Sequence, residues 1–295
     1  MTDELEDSPL VSVIMPARNA EKVLVKTLQS LEGQTHENWE LHVTDDGSTD
    51  RTTSLLHEWA KHVRQPVTVL AADGVGPSAA RNLAAQNATG SLVAFLDADD
   101  IWHAEKLTEQ IDVLDKNPGL LGVTCDYAIV DGSTGQVRQR ITFDWSDKSF
   151  DRWIIMEGVG PALCSTLLVR AEQFQEVGGF DPDLWNLEDV DLALRLQAPR
   201  SLGFVPRTLC DYIIQRHQNH QQMTTVATAV QILLSKPPFS DDYRLARRLQ
   251  TNLRLLEAVR SLRRRRSLRQ LGFLLRVLAH DPITVTRTIL RTATR

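Results

Sequence analysis

The stretch Ser91-Leu92-Val93-Ala94-Phe95-Leu96-Asp97-Ala98-Asp99-Asp100 joins an apolar run of strand length to three carboxylates. Side chains alternate along a strand, so Asp97 and Asp99 would share one side if the extended backbone continued through them. Two carboxylates that close repel each other unless a cation or solvent compensates their charge. In the alternative interpretation, Asp99 or Asp100 caps a helix predicted over 104–117, where acidic residues suit the helix dipole.

Three earlier segments repeat one pattern, in which an apolar run leads into a loop and then into apolar residues at helical spacing. The three runs are 11–15, 39–44 and 67–71. Strands and helices that alternate through short loops imply a mostly parallel, doubly wound sheet. Ligands bind such sheets beyond the carboxyl ends of the strands. The polar segments that we expect at that edge are Pro16, Asp46, the 74–81 loop and Asp97 to Asp99.

Beyond residue 117 the alternation of strands and helices is less regular. Apolar runs predict further extended segments, and a Gly-containing turn over 131–135 predicts a hairpin into 137–142. The extended segments are 120–129, 163–169, 202–205 and 209–214. Helices are predicted over 171–177 and from the acidic stretch at 187–191 onward.

The composition is that of an ordinary soluble globular protein, because 42% of the 295 residues are hydrophobic and 24% are charged. Residues 1–9 form an acidic, polar leader that does not resemble a signal peptide, and no apolar run approaches the roughly 20 residues that span a bilayer. We therefore expect a cytoplasmic protein. Cys125, Cys164 and Cys210 are odd in number and widely spaced, which argues against disulfides and a zinc site and predicts buried thiols.

The charge is distributed unevenly along the chain. Residues 1–242 hold 19 Lys and Arg against 36 Asp and Glu, a net charge of −17, whereas residues 243–295 hold 14 Arg against 2 acidic residues, a net charge of +12. The basic segment has leucines at spacings of three and four, which predicts an amphipathic helix. Such a helix suits an anionic membrane surface, and the alternatives are docking on the catalytic domain or self-association.

Six separated motifs resemble glycosyltransferase family 2 of the GT-A fold, over about residues 10–220. They are Val11-Ser12-Val13-Ile14-Met15-Pro16, Asp45-Asp46-Gly47-Ser48-Thr49-Asp50, Ala80-Arg81-Asn82, Phe95-Leu96-Asp97-Ala98-Asp99-Asp100, Gly178-Gly179-Phe180-Asp181 and Leu187-Glu188-Asp189. The resemblance implies an α/β fold with a mixed, mostly parallel, doubly wound sheet. It also implies inverting transfer of a sugar from a nucleotide-diphosphate donor, with a UDP-sugar favoured, to an acceptor hydroxyl on a glycan or a lipid-linked glycan.

The resemblance implies a divalent metal, Mn²⁺ or Mg²⁺, which would neutralise the leaving diphosphate. Asp99 resembles the metal ligand, and Asp97 resembles the residue that faces the ribose or shares the metal environment. Asp100 is expected to cap or orient its neighbours. His217 follows the last predicted strand, where related enzymes carry a histidine that can reach the metal or a phosphate.

Asp46 resembles the carboxylate that contacts the donor base, whereas Asp45 is expected to be structural because acidic residues are common in tight turns. Pro16 would shape the floor beneath the base, with Asn19 or Arg18 nearby. Arg81 lies at the start of a helix beside a glycine loop. It could hold a phosphate or clamp the aspartates, and a solvated surface arginine is the alternative.

Asp189 resembles the catalytic base that inversion requires, with helix capping as the competing interpretation. Glu188 is placed with it on the acceptor side. Asp191 and Arg195 stand four residues apart and are predicted to pair. The other residues predicted for the acceptor side are Gly179, Phe180 and Trp185, the last as a surface for sugar stacking, although an aromatic residue is more often part of the core.

The sequence predicts that the chain has three parts. The leader is 1–9, the catalytic domain is 10–222 and the helical basic extension is 223–295, and the catalytic domain divides into a nucleotide-binding half, 10–118, and an acceptor half, 119–222. A metal-dependent glycosyltransferase at the inner face of the membrane is the leading hypothesis. A non-catalytic nucleotide-sugar or glycan binder, tethered through the tail, is the alternative. The motifs of dinucleotide-binding and P-loop proteins are absent, and no nucleic-acid recognition motif is present.

Overall fold

A computed structural model describes residues 8–143, 164–198, 200–214, 221–237 and 240–241. The chain divides into two compact units. The first unit comprises Met1–Ser146 and Pro161–Ala229, and the second comprises Asp147–Gly160 and Val230–Arg295. The sheet belongs to the first unit. His217 and the whole basic segment, 243–295, lie outside the described residues, so the predictions for them stay predictions.

Nine strands of the described residues form one sheet. They are β1 (Val11–Ala17), β2 (Trp39–Asp46), β3 (Val67–Ala72), β4 (Leu92–Phe95), β5 (Ile101–Trp102), β6 (Gly122–Asp131), β7 (Val137–Ile141), β8 (Leu168–Arg170) and β9 (Leu202–Ile214). The order across the sheet is β3-β2-β1-β4-β8-β6-β9-β5, and β7 pairs with β6 outside this path. Strands β3, β2, β1 and β4 are parallel to one another.

Seven α-helices accompany the strands in the described part of the chain. They are α1 (Leu24–Glu32), α2 (Thr52–Trp59), α3 (Pro77–Ala85), α4 (Lys106–Lys116), α5 (Ala171–Glu176), α6 (Glu188–Arg195) and α7 (Gln221–Leu234). Helices α1, α2 and α3 fill the connections between successive parallel strands, as the sequence pattern predicts. None of the helices in the described ranges combines the length and the apolar character that crossing a membrane requires.

The first four strands confirm the parallel sheet predicted from their apolar runs. Every residue of β2 is buried, because β1 and β3 cover the edges of this strand and crossover helices such as α3 pack on the sheet. In this register Ala17 lies opposite Asp45, and Ile14 lies opposite Phe95. The carboxyl ends of β1, β2 and β4 therefore meet at one edge of the sheet, where the polar residues that follow each strand gather.

The polypeptide turns immediately after β4. The strand ends at Phe95, and the Asp100 N–H donates to the Asp97 carbonyl at 3.0 Å. The prediction that Asp99 or Asp100 caps the next helix is wrong, since α4 begins only at Lys106 and has no side-chain cap. The Asp100 carboxylate instead accepts a hydrogen bond from the Ile213 N–H at 3.1 Å. This buried carboxylate therefore ties the turn after β4 to β9.

The second half of the sheet differs from the sequence prediction at two places. The described part of the strand predicted over 163–169 is a 3-10 turn, Cys164–Thr166, followed by the short β8. The two segments predicted around Pro206 form one 13-residue strand, β9. Proline cannot donate to a ladder, and the β6–β9 register shifts beside this point, between Cys125 and Tyr127. The irregular register allows β9 to continue past the proline.

Four other predictions from the sequence agree with the structure. The hairpin from β6 into β7 turns over Asp131–Gly135 and confirms the prediction. Helix α5 confirms the short helix predicted over 171–177. All three cysteines are free and buried, as predicted. The pair of Asp191 and Arg195 is also confirmed, with a separation of 2.6 Å between carboxylate and guanidinium.

Candidate active site

Asp46 holds the loop between β3 and α3. It is the last residue of β2, and its two carboxylate oxygens accept hydrogen bonds from the N–H groups of Val75 at 2.7 Å and Gly76 at 2.9 Å. The Arg18 guanidinium lies 3.8 Å from Asp46 Oδ2. Each carboxylate oxygen keeps a second lone pair, so Asp46 can accept a further hydrogen bond from a ligand. Asp46 is thus a loop anchor as well as a candidate for base contact.

Asp45 and Asn19 join the loops that follow β1 and β2. Asp45 Oδ1 accepts from the Ser48 hydroxyl at 2.5 Å, and Asp45 Oδ2 accepts from the Thr53 hydroxyl. Asn19 has a left-handed φ of 50°, and its side-chain oxygen accepts from the Thr49 N–H at 2.8 Å. The carbonyl oxygen of the Asn19 amide is therefore used within the protein. Pro16 lies in β1 opposite Thr44 of β2, below this pair of loops.

Arg81 connects two of the predicted motifs. It lies in α3, its side chain is only 3% exposed, and its guanidinium binds Asp97 Oδ1 at 2.5 Å and Glu188 Oε1 at 2.9 Å. Burial opposes the charge, but the carboxylates of Asp97 and Glu188 raise the pKa of Arg81 well above its usual value. The interpretation of Arg81 as a solvated surface residue is wrong, because its charge is buried between two acidic partners.

Negative charge is unfavourable on the carboxyl groups of the acidic turn after β4. Burial and the neighbouring Asp97 charge raise the pKa of Asp99 to about 6. Burial and the charges of Asp99 and Asp97 raise the pKa of Asp100 well above its usual value. Ser165 supports the turn by accepting a hydrogen bond from the Asp97 N–H at 3.1 Å. A divalent cation at these oxygens would relieve the repulsion.

The donor set near Asp99 suits a cation that is held mainly by its ligand. Within the described residues, no group of three or more His, Cys, Asp or Glu side chains is arranged to hold an ion. Mg²⁺ commonly binds through one or two carboxylates together with substrate phosphates and water. The carboxylates of Asp97 and Asp99 fit that mode of binding, which leaves the remaining positions to oxygens from outside the protein.

Asp189 lies in the first turn of α6, after Leu187 in a left-handed conformation with a φ of 63°. Burial and the neighbouring Glu188 charge raise the pKa of Asp189 to about 7. Its Oδ1 accepts from the adjacent Val190 N–H at 2.7 Å, and the position that caps α6 is occupied by Leu187 without a side-chain cap. A carboxylate that titrates near neutral pH can accept a proton from a substrate.

The Gly178-Gly179-Phe180 turn packs on α3. Asn82 accepts from the Phe180 N–H at 2.8 Å and donates to its carbonyl at 2.7 Å. The Phe180 ring is 1% exposed and packs against the rings of Phe95 and Phe174 at 4.9 and 5.7 Å. This position differs from the prediction that Phe180 faces an acceptor, because its ring belongs to the core. Gly179, at a φ of 70°, leaves no room for a side chain beside Asn82.

Comparison with known proteins decides the family. The sequence model of glycosyl transferase family 2 matches residues 12–174. The chain belongs to this family. The relatives include the UDP-Glc:alpha-D-GlcNAc-diphosphoundecaprenol beta-1,3-glucosyltransferase WfgD of Escherichia coli, which is 43% identical over 111 residues, 38% of this chain and 43% of that protein. An uncharacterized glycosyltransferase of Nostoc sp., alr2836, is 30% identical over 181 residues, 60% of this chain and 56% of that protein. The chain spans about half the length of these relatives.

Solved structures show that the family 2 chain has the GT-A fold. The structure of S. aureus TarS 1-349 in complex with UDP-GlcNAc aligns with a TM-score of 0.65 at 17% identity, over 93% of this chain and 81% of that one. The mannosyltransferase PcManGT from Pyrobaculum calidifontis, in complex with GDP-Man and Mn²⁺, aligns with a TM-score of 0.62 at 20% identity, over 97% of this chain and 85% of that one. The predicted family and the predicted fold are both confirmed.

Two further residues near the acidic turn of the family 2 chain could not be identified from the sequence. Ser165 belongs to a turn that the apolar pattern predicts to be a strand. Tyr212 lies in β9, and burial together with the charges of the three aspartates of the 97–100 turn and of Asp189 raises its pKa. The geometric link between this turn and the start of α6 is Arg81, which binds both Asp97 and Glu188. No motif of chemistry-bearing residues marks either position.

Proposed function

We propose that this protein transfers a sugar from a nucleoside-diphosphate donor to an acceptor hydroxyl, with inversion at the anomeric carbon and with the help of a divalent cation. The observation that best supports the proposal is the pair of ion pairs made by Arg81. They hold Asp97 of the acidic turn and Glu188, the neighbour of Asp189, on one guanidinium. We infer that the cation-binding carboxylate pair and the proton acceptor lie near each other, as inverting transfer requires.

The donor is a nucleotide sugar, with a UDP-sugar favoured. Asp46 anchors the 74–77 loop and has lone pairs to accept a hydrogen bond from the base, while Asp97 faces the ribose or shares the metal. Two structural neighbours were solved with UDP-GlcNAc and with GDP-Man and Mn²⁺, which supports a donor of this class. Asp99, assisted by Asp97, would hold Mn²⁺ or Mg²⁺, and the bound ion would neutralise the charge that develops on the leaving diphosphate.

Asp189 acts as the base. Its carboxylate removes the proton from the acceptor hydroxyl as the hydroxyl oxygen bonds to the anomeric carbon, and the bond from that carbon to the diphosphate oxygen breaks. The raised pKa of Asp189 suits this role, because a stronger base accepts the proton more readily at neutral pH. Arg81 holds the acidic turn and the start of α6 at a fixed separation throughout the step.

The acceptor is a glycan or lipid-linked glycan of the cell surface. The relative WfgD carries a diphosphoundecaprenol-linked substrate in its name, and this supports an acceptor at a membrane. The catalytic domain is proposed to span 10–222, and the basic extension 223–295 to attach it to the anionic cytoplasmic face of the membrane. The segment 243–295 holds 14 Arg against 2 acidic residues, which suits such a surface.

Donor binding and turnover test the proposal together. UDP-Glc, UDP-GlcNAc and GDP-Man are titrated into the protein by calorimetry with and without Mn²⁺, and release of the nucleoside diphosphate is followed. We expect one donor to bind and turn over in the presence of Mn²⁺, and Asp99→Ala to lose both properties. Asp112→Ala is the matched control, since Asp112 pairs with Lys116 on the exposed face of α4. Binding without any turnover would instead favour a non-catalytic relative.

Vesicle flotation tests the membrane proposal separately. The full chain is mixed with vesicles of phosphatidylcholine alone or with 30 mol% phosphatidylglycerol, beside a variant with Arg263 to Arg266 changed to alanine. We expect the wild-type chain to float with the anionic vesicles and the variant to do so more weakly. Equal flotation of both proteins would remove the membrane role of the arginines and leave the donor chemistry untouched.

A further inference from the structure

Trp185 is an exposed aromatic residue beside the 74–77 loop. Its side chain is 47% exposed, and Val75, which adjoins Gly76 in the chain, is 37% exposed. Large apolar side chains at the surface expose area that association with a partner or ligand would bury. The proposed function uses polar and charged groups for the donor and the proton, and the sequence predicts sugar stacking for this indole.

The backbone around Trp185 is fixed at both ends. The Leu184 carbonyl accepts a hydrogen bond from the Ser78 hydroxyl of α3, and Glu188 binds Arg81 of the same helix at 2.9 Å. The segment from Leu184 to Glu188 is therefore fastened to α3 on either side of the indole. An exposed side chain on such a rigid segment loses little freedom when a ligand binds.

The indole itself rests on the glycine loop. A Cβ at Gly76 would lie 2.6 Å from Trp185 Cε2 and 2.9 Å from Nε1, so the indole edge touches the place where a side chain would begin. Gly76 also donates its N–H to Asp46 at 2.9 Å. One edge of the indole is thus packed against the loop that Asp46 anchors, and the rest of the ring remains open to solvent.

The position of Trp185 identifies what it would bind. It touches Gly76 of the 74–77 loop and precedes Asp189 by four residues in the chain. A sugar ring has apolar C–H faces that pack on a flat aromatic surface, whereas its hydroxyls remain available at the edge. An acceptor sugar on Trp185 could therefore present a hydroxyl toward Asp189.

We propose that Trp185 is a stacking platform for the pyranose ring of the acceptor and thereby helps to select the acceptor. This inference rests on the proposed function. It assigns to one residue of the 184–188 segment a contact with the acceptor, while the donor is held by Asp46 and the acidic turn. Loss of the ring should weaken acceptor binding by about tenfold, in line with the contribution of one aromatic stacking contact.

Saturation-transfer NMR on the full chain tests this inference. The probes are methyl β-D-glucopyranoside, methyl β-D-galactopyranoside and methyl 2-acetamido-2-deoxy-β-D-glucopyranoside, each added to protein saturated with UDP and Mn²⁺. The variants are Trp185→Ala and Trp185→Phe. Trp59→Ala serves as the matched control, because Trp59 stacks on Trp39 at the opposite end of β2 from Asp46, with ring centroids 6.5 Å apart.

We expect at least one glycoside to receive saturation on its ring protons from the wild-type protein. The signal should fall about tenfold in Trp185→Ala and persist in Trp185→Phe and in Trp59→Ala. No glycoside signal from the wild-type protein, or an equal signal in Trp185→Ala, would overturn the inference. A Trp185→Ala variant that binds UDP about tenfold more weakly by calorimetry would also overturn it, because the indole would then contact the nucleotide.

The same protein preparation separates this inference from the proposed function. Release of nucleoside diphosphate from the donor sugars is measured beside the NMR experiment. If the wild-type protein turns over a donor but Trp185 has no effect on the glycosides, only the platform is rejected. If the wild-type protein turns over no donor, the transferase proposal itself fails.

Discussion

The buried guanidinium of Arg81 lies 2.5 Å from the carboxylate of the partly exposed Asp97, and the same guanidinium reaches Glu188 on its other side. The pair unites α3, the acidic turn and the start of α6. A buried charge that loses its partner is costly, so each of these three side chains depends on the others.

Replacement of Arg81 should therefore harm both stability and donor binding. We expect Arg81→Met to lower the free energy of unfolding by about 3–5 kcal/mol, because Asp97 and Glu188 would be left without their cation. Urea denaturation measures the stability. Arg81→Lys retains a charge but cannot bind two carboxylates with the geometry of a guanidinium, so it should recover only part of the loss. Full recovery in Arg81→Lys would show that charge alone matters.

Asp46 and its neighbour Asp45 should respond differently to substitution. Asp46→Ala releases the N–H groups of Val75 and Gly76, so we expect the loop to loosen and UDP to bind at least about tenfold more weakly. Calorimetry with UDP and Mn²⁺ measures the affinity. Asp45→Asn is the comparison, because Asp45 bonds Ser48 and Thr53 within the protein. It should lower stability while the folded protein retains most of its affinity for UDP.

Gly76 should be intolerant of any side chain. Its φ of 87° is strained for other residues, and a Cβ would lie 2.6 Å from Trp185. We expect Gly76→Ala to lower the free energy of unfolding by about 2 kcal/mol. Combination with Trp185→Ala removes the collision but leaves the backbone strain. The double variant should therefore be less destabilised than the sum of the single variants, and a strictly additive result would mean that the two residues do not touch.

The titration of Asp189 should appear in the stability of the protein. Its pKa of about 7 lies above the ordinary value of 3.8, so the folded state holds this proton more tightly than the unfolded chain does. This contribution to stability is fully present below pH 3.8 and is lost as the pH rises toward 7. Asp189→Asn has no carboxyl group to titrate, so its stability does not lose this contribution as the pH rises. Urea denaturation at pH 5 and pH 8 measures the free energy of unfolding of both proteins. Relative to the wild-type protein, the variant should be more stable at pH 8 than at pH 5. The same difference at both pH values would argue against a raised pKa of Asp189.

The sequence predicts the first half of the fold well, because its strands are continuous apolar runs between short loops. The ends of β1, β2 and β4 follow from these runs, and so does the gathering of Asp46 and Asp97 at one edge. The prediction fails where a local signal misleads. Pro206 suggests a break in β9, but the shifted register against β6 absorbs it.

Contacts between distant residues are beyond the reach of sequence patterns. Arg81 and Glu188 are 107 residues apart, so only the folded sheet reveals that they pair. Phe180 belongs to a motif that suggests a surface loop, yet the space between Phe95 and Phe174 draws its ring into the core. Trp185 shows the reverse, since an aromatic residue is more often buried and this one is exposed.

Donor turnover by Asp189→Asn tests the central claim most directly, because it separates binding from chemistry in one nearly isosteric change. Calorimetry and release of the nucleoside diphosphate are measured on the wild-type and variant proteins with Mn²⁺ and the donor that the wild-type protein accepts. The account predicts that the variant binds the donor within about threefold of the wild-type affinity but transfers sugar at least about a hundredfold more slowly. Transfer at the wild-type rate would contradict it, since Asp189 could not then be the base.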